Sequence, residues 1–130
     1  MKSIFTKIIK GSIPSYKVGE NDSFLAFLDI NPIAYGHVLV IPKKEIDYIF
    51  DMNSTDYLKL FDFAKKVANA MEKVIFCQRI GIAVIGLEVP HVHIHLIPLN
   101  TISDINFENE KLNFSDLKMK EIAHKINSAI

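Results

Sequence analysis

The sequence predicts an α+β fold, in which an antiparallel sheet of about five strands is flanked by a main helix and by helices near the two ends. Short apolar segments typical of strands follow one another with turns between them, and the longest helical patterns stand apart from these strands. Hydrophobic residues make up 49% of the 130 residues, which is enough to form the core of one ordinary domain. We therefore expect residues 1–130 to form a single domain.

The composition excludes several classes of protein. Fifteen basic and fifteen acidic residues give a formal net charge of zero, which argues against bulk nucleic acid or an anionic membrane surface as the main partner. No apolar run is long enough to span a bilayer, and polar residues interrupt the apolar N-terminal residues, unlike in a signal peptide. Cys77 is the only cysteine, so we expect no intramolecular disulfide and a reducing, cytoplasmic location.

The first third of the chain contains a short helix and three strands. Apolar residues at helical spacing over residues 4–9 precede Gly11, which predicts a glycine-capped amphipathic helix. Residues 16–19 and 24–28 read as two strands joined by a polar turn. The β-branched and aliphatic run over residues 37–42 is typical of a central strand.

The middle of the chain contains the main helix. Residues 46–50 are consistent with a helical turn, after which Asn53 or Ser54 can cap a helix that continues to about Val74. We expect this helix to pack across the sheet through one apolar stripe. The stripe comprises Leu58, Phe61, Ala64 or Ala68, Val67 and Met71.

The last third supplies two strands and a final helix. Residues 80–85 predict a strand that pairs with the histidine-rich strand through a short connection at Gly86. Residues 100–130 predict a polar loop, up to Asn113, followed by a C-terminal helix capped by Ser115. The residues expected to face inward are Leu117, Ile122, Ala123 and Ile126.

Three of the five histidines, His91, His93 and His95, alternate with aliphatic residues. On an extended strand all three imidazoles leave the same face, about 6.6 to 6.8 Å apart, which suits a row of groups along one phosphate-sized ligand. Burying a polar ring without a partner costs about 1 to 3 kcal/mol, so three rings in strict alternation indicate a functional site.

Metal binding, covalent catalysis and phosphate recognition are the chemistries open to this row. Alternating histidines can present two imidazoles to one Zn²⁺, but no Cys-x-x-Cys pair or carboxylate cluster accompanies them, so we expect no functional metal and no other cofactor. A neutral imidazole is a competent nucleophile toward phosphorus when its neighbours position it and stabilise the transferred group. Flanking histidines can do both.

Residues 91–97 resemble the signature of the histidine triad (HIT) family of nucleotide hydrolases and transferases, in which three histidines alternate with hydrophobic residues. Residues 4–14 resemble the N-terminal stretch of that family, and residues 27–32 with 36–44 resemble its next block. The resemblance implies an antiparallel sheet flanked by helices, a homodimer, and a purine nucleotide bound with its α-phosphate against the triad.

The resemblance also assigns roles to the histidines. His93 would be the nucleophile that forms a nucleotidyl-histidine intermediate, which water then hydrolyses. His95 would contact the phosphate and aid the leaving group, while His91 and the more distant His37 would orient and electrostatically support His93. The transferase branch typically carries glutamine at the third triad position, so His95 indicates a hydrolase similar to the Hint-like branch.

Carried over in the same way, Asp29 would hydrogen-bond the ribose hydroxyls, and Phe5, Ile8 and Leu28 would fall where the family forms its base pocket. Each residue has a simpler interpretation: Asp29 as a turn residue before Asn31, and the three apolar residues as plain core. His37 could likewise be only the polar start of a strand.

The segment before the triad departs from the family pattern. It carries no asparagine between Ile80 and His91, and Leu87 has no side-chain donor for phosphate. Glu88 stands where some relatives have a hydroxyl donor, and backbone N–H groups around Gly86 could bind phosphate instead.

Residues at three other positions indicate whether the chain could bind a structural zinc ion. Ser3 and Thr6 replace the cysteines of the zinc-binding subgroup, and Glu45 stands where many relatives have a histidine. We therefore do not expect a structural zinc.

The sequence thus predicts a homodimeric hydrolase that cleaves a bond to the α-phosphate of a purine nucleotide. The leaving group could be an amine, as in a nucleoside phosphoramidate, or a phosphate, as in a dinucleoside polyphosphate. The alternatives are a nucleotide-binding or scaffolding protein of low turnover, motivated by Leu87 and the missing asparagine, and a metal-binding protein.

Overall fold

A computed structural model describes residues 2–130 of the chain. It contains three α-helices, five strands and two short 3₁₀ helices, at Ile49–Asp51 and Ile102–Ile105. The α-helices and strands, in chain order, are α1 (Ile4–Ile9), β1 (Lys17–Glu20), β2 (Phe24–Leu28), β3 (Val38–Pro42), α2 (Ser54–Val74), β4 (Arg79–Ala83), β5 (Ile94–Leu99) and α3 (Asp116–Asn127).

The five strands form one sheet in the order β1-β2-β3-β5-β4, and every neighbouring pair is antiparallel. This arrangement confirms the α+β class with an antiparallel sheet. Strand β3 is central, as its continuous apolar sequence predicts, and all five of its residues are buried. Strand β5, which follows the histidines, lies between β3 and β4.

The two faces of the sheet carry different helices because side chains alternate along each strand. One face packs against α2 and α3 in the larger hydrophobic core, and the other packs against α1 in a smaller cluster. The buried members of the smaller cluster are Phe5, Leu25, Phe27, Leu39 and Ile41.

Helix α2 begins where expected, because the Asn53 side chain accepts a hydrogen bond from the backbone N–H of Asp56 at 2.9 Å. Its predicted apolar stripe is wrong at one position. Leu58 is 65% exposed, whereas Leu60 is fully buried. The buried stripe runs through Leu60, Ala64, Val67, Ala70 and Met71, and it is rotated around the helix relative to Leu58.

Helix α3 shows a similar outcome. Ser115 caps it by accepting a hydrogen bond from the N–H of Lys118 at 3.1 Å, as predicted. Ile122, Ala123 and Ile126 are buried, but Leu117 is 76% exposed and Met119 is buried in its place. Leu117 lies in the first turn, before the stripe that faces the core.

The extended strand predicted for all three triad histidines is wrong at its start. Strand β5 begins at Ile94, so His91 and His93 precede it. The backbone N–H of His91 donates to the carbonyl of Val89, and that of Val92 donates to the carbonyl of Ile46. These two N–H groups are therefore not available for pairing with a neighbouring strand. The connection between β4 and β5 is the ten-residue segment 84–93, which is longer than the predicted short connection at Gly86.

Gly36 fixes the start of the segment that carries His37. Its φ of +81° is unfavourable for other residues, and a Cβ added there would collide with the side chain of Ile75. The requirement for glycine is therefore conformational in the first place, since the contacted Cδ1 is the end of the flexible Ile75 side chain.

Residues 100–113 are not entirely loop, because Thr101 and Asp104 form a capping box at the 3₁₀ helix Ile102–Ile105. None of the helices described here is both long enough and apolar enough to cross a membrane.

Candidate active site

Four histidines converge on the α1 side of the sheet. His37, His91, His93 and His95 are 1%, 0%, 7% and 8% exposed, whereas His124 is exposed on α3. The fold brings His37, immediately before β3, next to His95 on β5, 58 positions later in the chain. The four rings thus form one buried group.

His93 has one fixed nitrogen and one open nitrogen. Its Nδ1 lies 2.7 Å from the carbonyl oxygen of His91, and because a carbonyl can only accept, Nδ1 carries the proton. The Nε2 atom makes no hydrogen bond within residues 2–130, where no buried side-chain nitrogen or oxygen lacks a partner. It is therefore reached by solvent and presents a free lone pair in the neutral ring.

A backbone group fixes the proton positions on His37 and His95. The N–H of Ile33 donates to Nδ1 of His37 at 3.2 Å, so the neutral His37 ring carries its proton on Nε2. This Nε2–H donates to Nδ1 of His95 at 2.9 Å. The proton of neutral His95 is consequently on Nε2, which has no protein partner among the described residues and faces outward as a donor.

Both of these histidines are neutral at physiological pH. Burial, followed by the positive charge of Lys111, lowers the pKa of His37 to about 4. Burial, followed by repulsion from His37, lowers the pKa of His95 to about 3. Because both rings are neutral, the hydrogen bond from Nε2–H of His37 to Nδ1 of His95 persists at this pH.

His91 is held at both ring nitrogens. Its Nε2–H donates to the carbonyl of Pro42 at 2.8 Å, and its Nδ1 lies 2.7 Å from Oγ of Ser3. Thr6 and Glu45 complete this cluster, since the Thr6 hydroxyl and the backbone N–H of Ser3 both donate to Oε1 of Glu45. Burial lowers the pKa of His91, although the Pro42 carbonyl opposes this shift.

The role of Ser3, Thr6 and Glu45 as a hydrogen-bonded support was missed by the sequence reasoning, which considered them only as missing zinc ligands. The available local signal was Ser3, a good helix N-cap, which accepts a hydrogen bond from the N–H of Thr6 at 3.0 Å. No local pattern connects these residues with Glu45 or His91.

Two phenylalanines border the histidines at opposite ends. Phe5 contacts the edges of His91 and His93, with ring centroids 5.8 and 5.1 Å apart, and also packs on Phe27. Phe107 packs on His95, with centroids 4.7 Å apart. The sequence singled out Phe5, but gave no signal for Phe27 or Phe107.

The three residues predicted for the base pocket are not all together. Phe5 and the half-buried Ile8 belong to the smaller apolar cluster on the α1 face. Leu28 is 2% exposed and belongs to the larger core on the opposite face, whereas its neighbour Phe27 points toward Phe5. Strand alternation separates Leu28 from the other two.

Asp29 occupies the edge of the site. One carboxylate oxygen accepts the N–H of Asn31 at 2.8 Å, in agreement with its predicted turn role, and the other lies 3.6 Å from Nε2 of His37. Asp29, His37 and His95 bring one ligand atom each within 4.8 Å of one another and could therefore hold a metal ion. The two histidine atoms of this group already share a hydrogen bond.

The segment before the triad presents little polar chemistry. Gly86 adopts a φ of +73°, Leu87 is 89% exposed, and Glu88 is exposed without an ion pair in the described residues. No hydrogen bond joins Gly86 or Glu88 to the histidines in this part of the chain. Val89 packs on the smaller cluster and brings the segment back to the site.

A segment that we call the strap, residues 106–111, crosses the other end of the site and carries Phe107. The ammonium of Lys111 donates to the carbonyl of Phe107 at 2.7 Å, and the following residue, Leu112, donates its N–H to the carbonyl of Pro32 at 2.8 Å. These bonds hold Phe107 against His95.

The chain matches the model of one protein family, described as the HIT domain, over residues 10–102. The matched region includes all four clustered histidines. The strap follows it.

Several curated proteins are similar over much of their length. An uncharacterized HIT-like protein of Borreliella burgdorferi is 38% identical over 98% of this chain and 97% of its own. An adenosine 5'-monophosphoramidase of Schizosaccharomyces pombe is 39% identical over 75% of this chain and 74% of its own. A bis(5'-nucleosyl)-tetraphosphatase of the same yeast is 34% identical over 74% of this chain and 54% of its own.

A solved structure agrees with the fold over nearly the whole chain. The HIT-like protein of Bartonella henselae has a TM-score of 0.85, with 32% sequence identity over 99% of this chain and 96% of that protein. The strap and α3 therefore fall within the aligned region.

Proposed function

Because this chain belongs to the histidine triad (HIT) family, we propose that it is a nucleotide hydrolase that acts through His93. Its substrate is a purine nucleotide, and the bond cleaved joins the α-phosphate to a leaving group. The observation that carries this proposal is the open Nε2 of His93, whose ring is held through Nδ1 by the carbonyl of His91.

The first step transfers the nucleotidyl group to the protein. The lone pair on Nε2 of His93 forms a bond to the α-phosphorus while the bond from phosphorus to the leaving group breaks with its electron pair. The Nε2–H of His95 donates a hydrogen bond to the leaving atom, which takes its proton from solvent, and the carbonyl of His91 stabilises the positive charge that develops on the His93 ring.

The second step returns the protein to its starting state. Water attacks phosphorus, the phosphorus–nitrogen bond breaks with its electron pair returning to Nε2 of His93, and the attacking water releases one proton to solvent. The products are a nucleoside monophosphate and the regenerated neutral ring. His37 supports both steps by fixing the tautomer of His95 through their 2.9 Å hydrogen bond.

The nucleoside lies near the residues that border the row. Asp29, with one carboxylate oxygen 3.6 Å from His37, binds the ribose hydroxyls, and Phe5 with Ile8 contributes to the base pocket. Backbone groups near Gly86 contact phosphate, and Glu88 lies beside this approach. Leu28 supports the pocket only from the opposite face of the sheet.

The leaving group is an amine or a phosphate chain, and two yeast relatives motivate these choices. One is named as a monophosphoramidase and the other as a tetraphosphatase of dinucleoside substrates. The second candidate function is nucleotide binding with little turnover, favoured by the exposed, donor-free Leu87 before the triad.

The direct test measures AMP release from adenosine 5'-phosphoramidate and from diadenosine tetraphosphate. We expect His93→Ala to reduce the rate by at least about a thousandfold, since the nucleophile is lost. His124→Ala is the matched control, because His124 is exposed on α3, and should retain full activity. Mass spectrometry of wild-type protein denatured during turnover should detect a nucleotidyl adduct on His93.

Equal rates of AMP release in wild type and His93→Ala would exclude His93 as the nucleophile. Tight nucleotide binding by wild type without AMP release from either substrate would favour the low-turnover function.

A further inference from the structure

The carboxylate of Glu45 connects the N-terminal helix with the segment after β3. Its Oε1 accepts both the backbone N–H of Ser3, at 2.7 Å, and the hydroxyl of Thr6, at 2.5 Å. Ser3 and Thr6 are buried; Ser3 is the N-cap of α1 and Thr6 lies in its first turn. A single oxygen atom thus fixes two residues that lie about forty positions earlier in the chain.

These bonds determine which hydroxyl can donate to His91. Thr6 has one hydroxyl proton, and it is directed to Glu45. Ser3 already accepts the N–H of Thr6, and its own proton can reach Oγ1 of Thr6 at 3.3 Å or Nδ1 of His91 at the shorter distance of 2.7 Å. Because the His91 proton is on Nε2, facing the Pro42 carbonyl, its Nδ1 needs a donor. Ser3 is therefore the donor, and Nδ1 of neutral His91 is the acceptor.

The opposite side of the His91 ring is equally constrained, because Nε2–H donates to the carbonyl of Pro42 at 2.8 Å. A ring held at both nitrogens restrains the backbone of its own residue. The carbonyl oxygen of His91 is the atom that holds Nδ1 of His93 at 2.7 Å. A continuous series of hydrogen bonds, through Ser3 and His91, therefore connects Glu45 with the His93 ring, whose Nε2 attacks phosphorus.

We propose that Glu45, acting through Ser3 and Thr6, is a positioning residue that fixes His91 and thereby keeps the attacking Nε2 of His93 unprotonated. Glu45 touches neither the phosphate nor His93, and it acts through hydrogen-bond geometry. The inference rests on the proposed function for its effect on catalysis, whereas its effect on the His93 ring is independent of substrate.

Variants of Glu45 separate geometry from charge. Glu45→Gln retains an oxygen that can accept both bonds but removes the charge, whereas Glu45→Leu removes the charge and the accepting oxygen. We expect Glu45→Leu to lower kcat by about 10- to 100-fold, the typical effect of losing a residue that orients a reacting group, with KM changed by less than about twofold. Glu45→Gln should remain within about threefold of wild type.

Thr6→Val provides a second variant of nearly unchanged shape, which loses the hydroxyl bond to Glu45 and the longer contacts of that hydroxyl with Ser3 and His91. It should lower kcat in the same direction as Glu45→Leu, without the larger disturbance of removing a carboxylate. Glu72→Leu is the matched control, because Glu72 is an exposed glutamate on α2, and it should leave kcat unchanged.

The independent readout is the tautomer of His93 in long-range ¹H–¹⁵N NMR spectra of the full chain. Wild type and Glu45→Gln should show the Nδ1–H tautomer, and Glu45→Leu should show a mixture with Nε2–H. An unchanged His93 tautomer in Glu45→Leu would overturn the inference, and so would wild-type kcat in both Glu45→Leu and Thr6→Val. So would an equal loss of kcat in Glu45→Gln and Glu45→Leu, which would indicate a charge effect.

The two proposals fail in different ways. If wild type releases no AMP, the proposed function fails, but the NMR spectra still test the role of Glu45. If wild type is active and the His93 tautomer is insensitive to Glu45→Leu, only the positioning role is excluded.

Discussion

His37 and His95 are neutral in the folded chain because protonation would place a charge in a buried site beside another imidazole. Their pKa values are lowered by burial to about 4 and about 3. In the unfolded chain both groups return to an ordinary value near 6.5. Between these values the unfolded chain binds more protons than the folded chain, so acid favours unfolding.

We therefore predict that the free energy of unfolding falls as the pH is lowered from about 6.5 toward about 4, with each of the two histidines contributing at most about 1.4 kcal/mol per pH unit. Above about pH 6.5 the two imidazoles are neutral in both the folded and the unfolded chain, so their contribution to the free energy of unfolding no longer changes with pH. Urea titrations at several pH values would measure the slope.

His95→Gln should flatten the slope, whereas His124→Gln should not, because His124 is exposed. A free energy of unfolding that is constant from pH 7 to pH 4.5 in wild type would contradict the assignment of His37 and His95 as buried neutral groups.

The strap is the element that covers the His95 end of the row. The Phe107 ring packs on His95, with ring centroids 4.7 Å apart, and its centroid lies 6.2 Å from that of His37. Lys111 donates to the carbonyl of Phe107 within the strap. The side-chain amide of Asn109 donates to the carbonyl of Ser103, and the N–H of Leu112 donates to the carbonyl of Pro32, so both bonds tie the strap to other segments. It contributes to the burial that lowers the pKa of both histidines.

We predict that Phe107→Ala raises the pKa of His95 from about 3 toward its ordinary range, because burial is the largest cause of its lowering. NMR titration of the histidine ring signals would follow the change. Phe50→Ala is a suitable control, since Phe50 is 70% exposed and lies in the 3₁₀ helix after β3. A His95 titration that is the same in Phe107→Ala and wild type would show that the strap does not bury His95.

At the scale of the whole molecule, one sheet joins the two core clusters, which supports our proposal that residues 1–130 form one domain. The sheet leaves β4 at an edge, paired on one side with β5. Ile82 on this strand is 54% exposed, and Ile85 just after it is 47% exposed. An exposed apolar edge strand favours association with another chain.

We propose a homodimer that uses this edge and predict a dimer mass for wild type in size-exclusion chromatography with light scattering. Ile82→Lys should shift the equilibrium toward monomer, because a charge on an edge strand opposes pairing. Leu117→Lys is the control, since Leu117 is 76% exposed on α3. A monomeric wild type would contradict the homodimer, and a fully dimeric Ile82→Lys would exclude this edge as the interface.

The sequence by itself determined the elements whose signals are local. Helix caps such as Asn53 and Ser115 and the strand Phe24–Leu28 depend on residues a few positions apart, so their patterns predicted them correctly. The alternation of His91, His93 and His95 likewise identified the candidate site and its relation to the HIT family.

Only the tertiary structure decided which groups complete that site. The proton positions follow from the N–H of Ile33, and the support of His91 follows from Ser3 and Glu45, which lie 88 and 46 positions away from it. The choice of Leu60 over Leu58 was also tertiary, because both fit an amphipathic helix and only the packed sheet distinguishes them. Helix and strand signals depend on near neighbours, whereas hydrogen-bond partners and burial depend on contacts between distant segments.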